Sequence, residues 1–138
     1  PMIVHACHCT RCQRRCGSAF AVNLWIEKSH VEVLSGTPEK HGELVSDKGL
    51  KSESWGCAKC GFGLWTVYHA AGIGSLFVRA GTLDDPSAFP PDVHIFTSSK
   101  QPWVQIPDDV PSFENYYDFR EVWSAESMQR FKALKEAS

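Results

Sequence analysis

Five of the six cysteines fall in two short runs, Cys7-His8-Cys9-Thr10-Arg11-Cys12 and Cys57-Ala58-Lys59-Cys60-Gly61. Cysteines this close together, in a chain that shows no secretion signal, point to metal binding rather than to a disulfide framework. The runs are unequal, with three thiols in the first and two in the second. Zinc held by three protein ligands keeps a fourth position for chemistry, whereas zinc held by four is closed and structural. The chemistry turns on whether the first run holds an open zinc.

The spacing allows a local claw. In an extended strand residues i and i+2 share a face, so Cys7 and Cys9 present their sulfurs together while His8 points away. The two residues before Cys12 let the backbone turn and bring a third sulfur round. Cys57-x-x-Cys60-Gly61 is a two-ligand knuckle, its glycine permitting the tight backbone after the second cysteine. Two closed arrangements stand beside the claw. Cys9, Cys12, Cys57 and Cys60 could form one four-cysteine zinc ribbon. Alternatively Cys16, four residues after Cys12 and on the same face of a helix, could complete the first site; otherwise Cys16 is expected to be a small buried hydrophobe.

The elements that must position these sulfurs are mostly strands. Residues 2–103 read as short strands broken by turn residues. Residues 19–26 are rich in apolar and aromatic side chains, and residues 30–34 alternate with Val31 and Val33 on one face. Residues 43–45 and 50–55 flank Ser46-Asp47-Lys48-Gly49, a hairpin loop with glycine where positive φ is needed. Residues 62–68 and 75–80 flank a second reversal, Ala70-Ala71-Gly72-Ile73-Gly74. Asp84 and Asp85, before Pro86, are expected to cap a turn ahead of a strand at 93–97. Helix is expected as a short turn at 10–16 and over 125–136, with Ser124 as N-cap and Met128, Phe131 and Leu134 at helical spacing. The predicted fold is mainly β with a carboxy-terminal helix and the zinc knuckles at strand ends. Trp25, Trp55, Trp65 and Trp103 are expected mainly in its core.

A chain of 138 residues suits one domain, 1–138, burying roughly 68–70% of the surface its unfolded form exposes. An apolar fraction of 43% and a charged fraction of 22% are those of a globular protein. The net charge of −2, with no basic stripe, speaks against a nucleic-acid partner. No apolar run is long enough for a membrane-spanning helix. The amino terminus lacks the pattern of a signal peptide, which gives the expectation of a reducing, cytoplasmic compartment. Pro1-Met2-Ile3-Val4 runs straight into an apolar strand, as in a chain entered partway or carrying a tag remnant.

The run Cys7-His8-Cys9-Thr10-Arg11-Cys12-Gln13-Arg14-Arg15, followed by Gly17-Ser18-Ala19-Phe20-Ala21, resembles the glutathione-dependent formaldehyde-activating family, which includes centromere protein V. Trp55-Gly56-Cys57-Ala58-Lys59-Cys60-Gly61, Ala80-Gly81-Thr82-Leu83-Asp84-Asp85-Pro86, His94-Ile95-Phe96, Lys100-Gln101-Pro102-Trp103 and Asp108-Asp109-Val110-Pro111-Ser112-Phe113-Glu114 match it in order. The resemblance implies a β-tent-like zinc-binding fold of short antiparallel sheets. It implies a catalytic zinc on Cys7, Cys9 and Cys12, and a structural zinc on Cys57 and Cys60 paired with a Cys-x-Cys element near the family's amino terminus. Nothing upstream of Cys7 is a cysteine, which fits a chain lacking the family's first hairpin and leaves the Cys57 and Cys60 site two ligands short.

The implied reaction joins glutathione and formaldehyde to S-hydroxymethylglutathione, a carbon–sulfur lyase run in reverse, with a small thiol and an aldehyde as partners. A coordinating thiol is deprotonated outright, whereas a free one is only a few per cent thiolate near neutrality. Arg11, Arg14 and Arg15 are candidates to balance the thiolate charge and to grip glutathione's carboxylates, with Lys100 as a further candidate. His8 is expected to face away from the metal and His5 to precede it on the strand. His94 is expected to head a β segment, and His30, His41 and His69 to lie on the surface or in loops. The competing reading is a non-catalytic, zinc-stabilised interaction module of the same fold, with its first site closed.

Overall fold

A computed structural model describes residues 1–137. Seven strands form one sheet: β1 (Ile3–Cys7), β2 (Ala21–Glu27), β3 (Pro38–Val45), β4 (Lys51–Cys57), β5 (Gly63–Tyr68), β6 (Ser75–Arg79) and β7 (Val93–Ile95). Three helices accompany them, α1 (Thr10–Cys16), α2 (Phe119–Val122) and α3 (Ala125–Glu136). The spatial order is β3-β4-β5-β6-β2-β1-β7. The neighbours pair antiparallel except β1 and β7, which run parallel. The chain is therefore mainly β with a carboxy-terminal helix, as expected, and its strands share one mixed sheet.

Local signals explain the elements. Gly49 takes φ 73° in the loop between β3 and β4, where Ser46 N–H donates to the Leu50 carbonyl at 2.9 Å. Ser124 caps α3 by accepting from Ser127 N–H at 3.1 Å. The Ser127 hydroxyl in turn donates to the Met2 carbonyl at 2.6 Å, tying the helix to the start of β1. Arg130 adds a two-pronged bond to Glu27 at 2.8 and 2.7 Å. Between α3 and the sheet lies an aromatic core in which Trp25 meets Phe77, Trp123 and Phe131 at centroid distances of 4.6, 5.0 and 5.1 Å. Among the described residues no helix is long and apolar enough to cross a membrane.

Register sorts the side chains by face, because directly paired residues point the same way. Cys7 pairs with Ala21, His5 with Asn23, and Asn23 with Arg79. Phe77 pairs with Thr66, Thr66 with Ser54, and Tyr68 with Ser52. These residues, spread over five strands, occupy the same face as Cys7.

Two expectations fail. Residues 31–34 form no strand: Lys28–His30 is a 3-10 turn, and Val33 and Leu34 are 48% and 86% exposed. The alternation there has no partner, since β1 and β6 already occupy both sides of β2. Trp103 is 73% exposed in a loop rather than in the core. Its place is taken by Trp123, buried beside α3 and given no part by the sequence reading.

Candidate metal centre

Cys7 is the last residue of β1, and the backbone continues its pairing for one residue more, with His8 N–H donating to the Ile95 carbonyl at 3.0 Å. Cys9 is the N-cap of α1, its sulfur accepting from Cys12 N–H at 3.3 Å. Cys12 follows inside the helix and is buried. Gly17 then ends α1 in the left-handed region at φ 63°. Strand end, cap and first turn bring the three Sγ atoms within 4.8 Å of one another. A tetrahedral zinc with bonds of about 2.3 Å sets its sulfurs about 3.8 Å apart, so this soft, largely buried donor set fits that ion.

Among the described residues no other group of three or more ligating side chains comes this close. The four-cysteine ribbon is therefore not assembled. Cys57 and Cys60 stand at the end of β4 without a third ligand, the first half-buried and the second exposed. Cys16 is exposed rather than buried and bonds weakly to the Gln13 and Phe20 carbonyls, at 3.7 and 3.3 Å. It sits beyond the turn of helix that faces the claw and does not close it.

The claw is electrostatically lopsided. Hydrogen bonds from Cys12 and then Cys7 hold the Cys9 thiol down to about 2, with Arg11 adding its charge. Bonding to Cys12 and Cys9, then burial, pushes Cys7 up. Cys12 is lowered by its bond to Cys7, but Cys9 and burial outweigh this and leave it raised. Three crowded sulfurs thus share their protons unless a cation displaces them, which is what a divalent metal does.

A polar clamp the sequence did not assign fixes α1 over the sheet. The Gln13 amide donates to the His8 and Ser99 carbonyls at 2.7 and 2.9 Å and accepts from the Gln101 amide at 2.7 Å. Ser99 donates its hydroxyl to the same His8 carbonyl at 2.9 Å. Gln13 and Gln101 are separated by 88 positions, so no local pattern could reveal the pair. Lys100 donates to the Gln101 and Val104 carbonyls, which engages its ammonium in the loop.

His8 turns away from the claw, as expected, but into the interior. Its Nε2 pairs with His94 Nδ1 at 2.8 Å, and both rings are buried. His94 lies in the middle of β7 rather than at its head. Burial, with the His94 and Lys100 charges, lowers His8 to about 4, so the pair is neutral at physiological pH. His5 is likewise buried, against the Tyr117 hydroxyl. Asp85 does cap a turn, accepting from Ser87 N–H at 3.0 Å.

The three arginines divide between two faces of α1. Arg11 and Arg15 are one turn apart and feel each other's charge, along with Tyr68 and Arg79. Arg14 instead lines a groove with Gln101 and Trp103. Beside Arg15 a cleft of about 360 Å³ opens between α1 and the sheet, lined also by Arg79, Ser54, Thr66 and Trp65. Arg79, on the wall of this cleft, acts on Cys12 electrostatically. The Tyr68 phenol also lies close: burial, then the Cys12 charge, raises it to about 12.

Residues 1–99 match the profile of a family described as glutathione-dependent formaldehyde-activating enzyme. That span holds all six cysteines and all seven strands, while the motifs at 100–103 and 108–114 lie beyond it. Among curated proteins none matches the chain.

Proposed function

Since the chain belongs to the glutathione-dependent formaldehyde-activating enzyme family, we propose that it is a zinc-dependent carbon–sulfur lyase, run as a synthase, acting on a glutathione-type thiol–aldehyde adduct such as S-hydroxymethylglutathione. Cys7, Cys9 and Cys12 would hold the metal. Bound there, zinc supplies a Lewis acid and a fourth coordination position that favours the thiolate form of an incoming thiol. The observation that carries the reading is the gathering of three sulfurs without a fourth ligating side chain among the described residues. A closed interaction module would need that fourth group, and exposed Cys16 does not provide it.

Adduct formation makes one carbon–sulfur bond: the thiol loses its proton, the carbonyl oxygen gains one, and nothing is oxidised. The chain's own groups suit each change. Arg11, whose charge acts on Cys9, offsets the negative charge gathering at the claw. Tyr68 keeps its proton at neutral pH and would donate a hydrogen bond to the aldehyde oxygen as that atom gains charge. Arg15 faces the cleft from which the thiol's remaining atoms approach. The six free cysteines fit a reducing, cytoplasmic setting.

Zinc-edge absorption should show three sulfurs on the claw zinc, rising to four when glutathione is added. Exchange spectroscopy should show faster interconversion of formaldehyde and its glutathione adduct. Cys12→Ser should lower zinc occupancy and remove the acceleration, while Cys16→Ser should keep both. Zinc-loaded protein that gains no sulfur and leaves the exchange rate unchanged would overturn the reading.

A further inference from the structure

Two flat peptide units join Cys7 to Cys9, and the fold grips both. The N–H of His8, in the first unit, donates to the Ile95 carbonyl at 3.0 Å. The carbonyl of His8, in the second, accepts from the Gln13 amide at 2.7 Å and the Ser99 hydroxyl at 2.9 Å, which occupies both of its lone pairs. Because each unit is planar, holding the two units restrains Cys7 and Cys9 along with His8. The His8 ring, paired with His94 at 2.8 Å and packed on Phe20 at 4.9 Å, resists rotation of the residue between the two sulfurs.

Ser99 reaches His8 because the chain bends sharply out of β7. Phe96 takes φ 54° and ψ 41°, and among the described residues no other non-glycine has a positive φ. A bulky residue keeps that backbone only where its surroundings over-determine it. Here the Phe96 N–H donates to the Asn115 carbonyl at 2.8 Å, and the Phe96 carbonyl accepts from Ser99 N–H at 3.3 Å. The Ser99 hydroxyl lies 3.1 Å from that same carbonyl. The strained bend thus delivers a hydroxyl to the peptide that leads into Cys9.

We propose that Ser99 and Gln13 are positioning residues for the metal: through the His8 carbonyl they hold Cys7 and Cys9 together before an ion arrives. Binding then loses little to reordering of the ligand backbone. Partners that orient a metal's ligands typically change its affinity about 10–100-fold. The role rests on the claw as the metal site, and it concerns capture of the ion rather than the reaction.

Competition against a chromophoric chelator measures zinc affinity, with Cys12→Ser marking what remains when the claw is broken. Ser99→Ala should bind zinc at least about tenfold more weakly. So should Gln13→Met, which keeps the length of the side chain without its donors. Ser99→Thr retains the hydroxyl and should recover most of the loss. With cobalt(II) in place of zinc, the visible bands should shift in the first two variants and return in the third. Urea unfolding of the metal-free variants confirms that they fold. A part confined to holding the fold would lower the unfolding midpoint and leave zinc affinity and cobalt bands unmoved; that result overturns the proposal. Weaker zinc binding in both variants of a protein that forms no adduct keeps the positioning role and loses the reaction. Adduct formation with zinc affinity unmoved loses the positioning role alone.

Discussion

Replacing Tyr117 with phenylalanine removes one oxygen from the centre of a buried relay. Trp123 Nε1, which can only donate, points at the Tyr117 hydroxyl at 2.8 Å. The same hydroxyl pairs with His5 Nε2, 2.5 Å away. His5 is neutral, burial lowering it to about 4. The three residues are 2–8% exposed, so water does not replace the lost oxygen. Phenylalanine keeps the ring packing against Phe113 at 5.5 Å, which leaves two stranded polar groups as the main effect. Each buried group left unpaired costs about 1–3 kcal/mol, and partial relaxation brings the expected total to about 3 kcal/mol. That is a large share of the roughly 5–15 kcal/mol a domain has, and corresponds to a fall in Tm of roughly 10 °C. Equilibrium urea unfolding of metal-free protein should show the lower midpoint with an unchanged m-value. A loss below about 0.5 kcal/mol would refute the relay.

Two further substitutions probe the ends of the sheet. Glu27 is lowered from its ordinary value of 4.5, first by the Arg130 hydrogen bond. A depressed carboxylate contributes stability that is present above 4.5 and lost as pH falls through its folded value. Arg130→Gln should thus destabilise by about 2 kcal/mol near neutrality, with the gap to the unaltered protein closing in urea titrations below about pH 4; a gap independent of pH would contradict the ion pair. At the other end, Gly56→Ala would set a Cβ against the Phe62 carbonyl and the His41 ring. The ring can swing away, but the carbonyl is backbone and accepts from Cys57 N–H at 2.9 Å. A loss of about 2 kcal/mol is expected, and unfolding within about 0.5 kcal/mol of the original would show that the knuckle yields.

What could be read from the residues in advance was what depends on neighbours in sequence. The hairpin at Ser46–Gly49, the cap at Ser124 and the claw itself all lie within a few positions, and local backbone geometry decides them. The failures share a different cause. Val31 and Val33 alternate correctly for a strand, but pairing needs an open edge, and β2 had none left. Cys16 was placed inside on the general habits of its residue type, whereas the axis of α1 puts it on the solvent side. Trp103 and Trp123 exchanged roles because burial of a tryptophan is decided by what packs opposite it, here α3 and Trp25.

The same distinction separates the two halves of the candidate site. The metal-binding half is a six-residue affair, carried by one strand end and one helical turn, and needs nothing distant except the Gln13 clamp to hold it. The cleft beside Arg15 is assembled by register: Ser54, Thr66 and Arg79 come from three strands and meet Arg15 only because β4, β5 and β6 pair as they do. A one-residue slip of β4 would turn Ser54 to the opposite face and reshape the cleft, leaving the claw untouched. Changes in the outer strands can reshape the cleft while the sulfurs that would hold the metal stay where β1 and α1 put them.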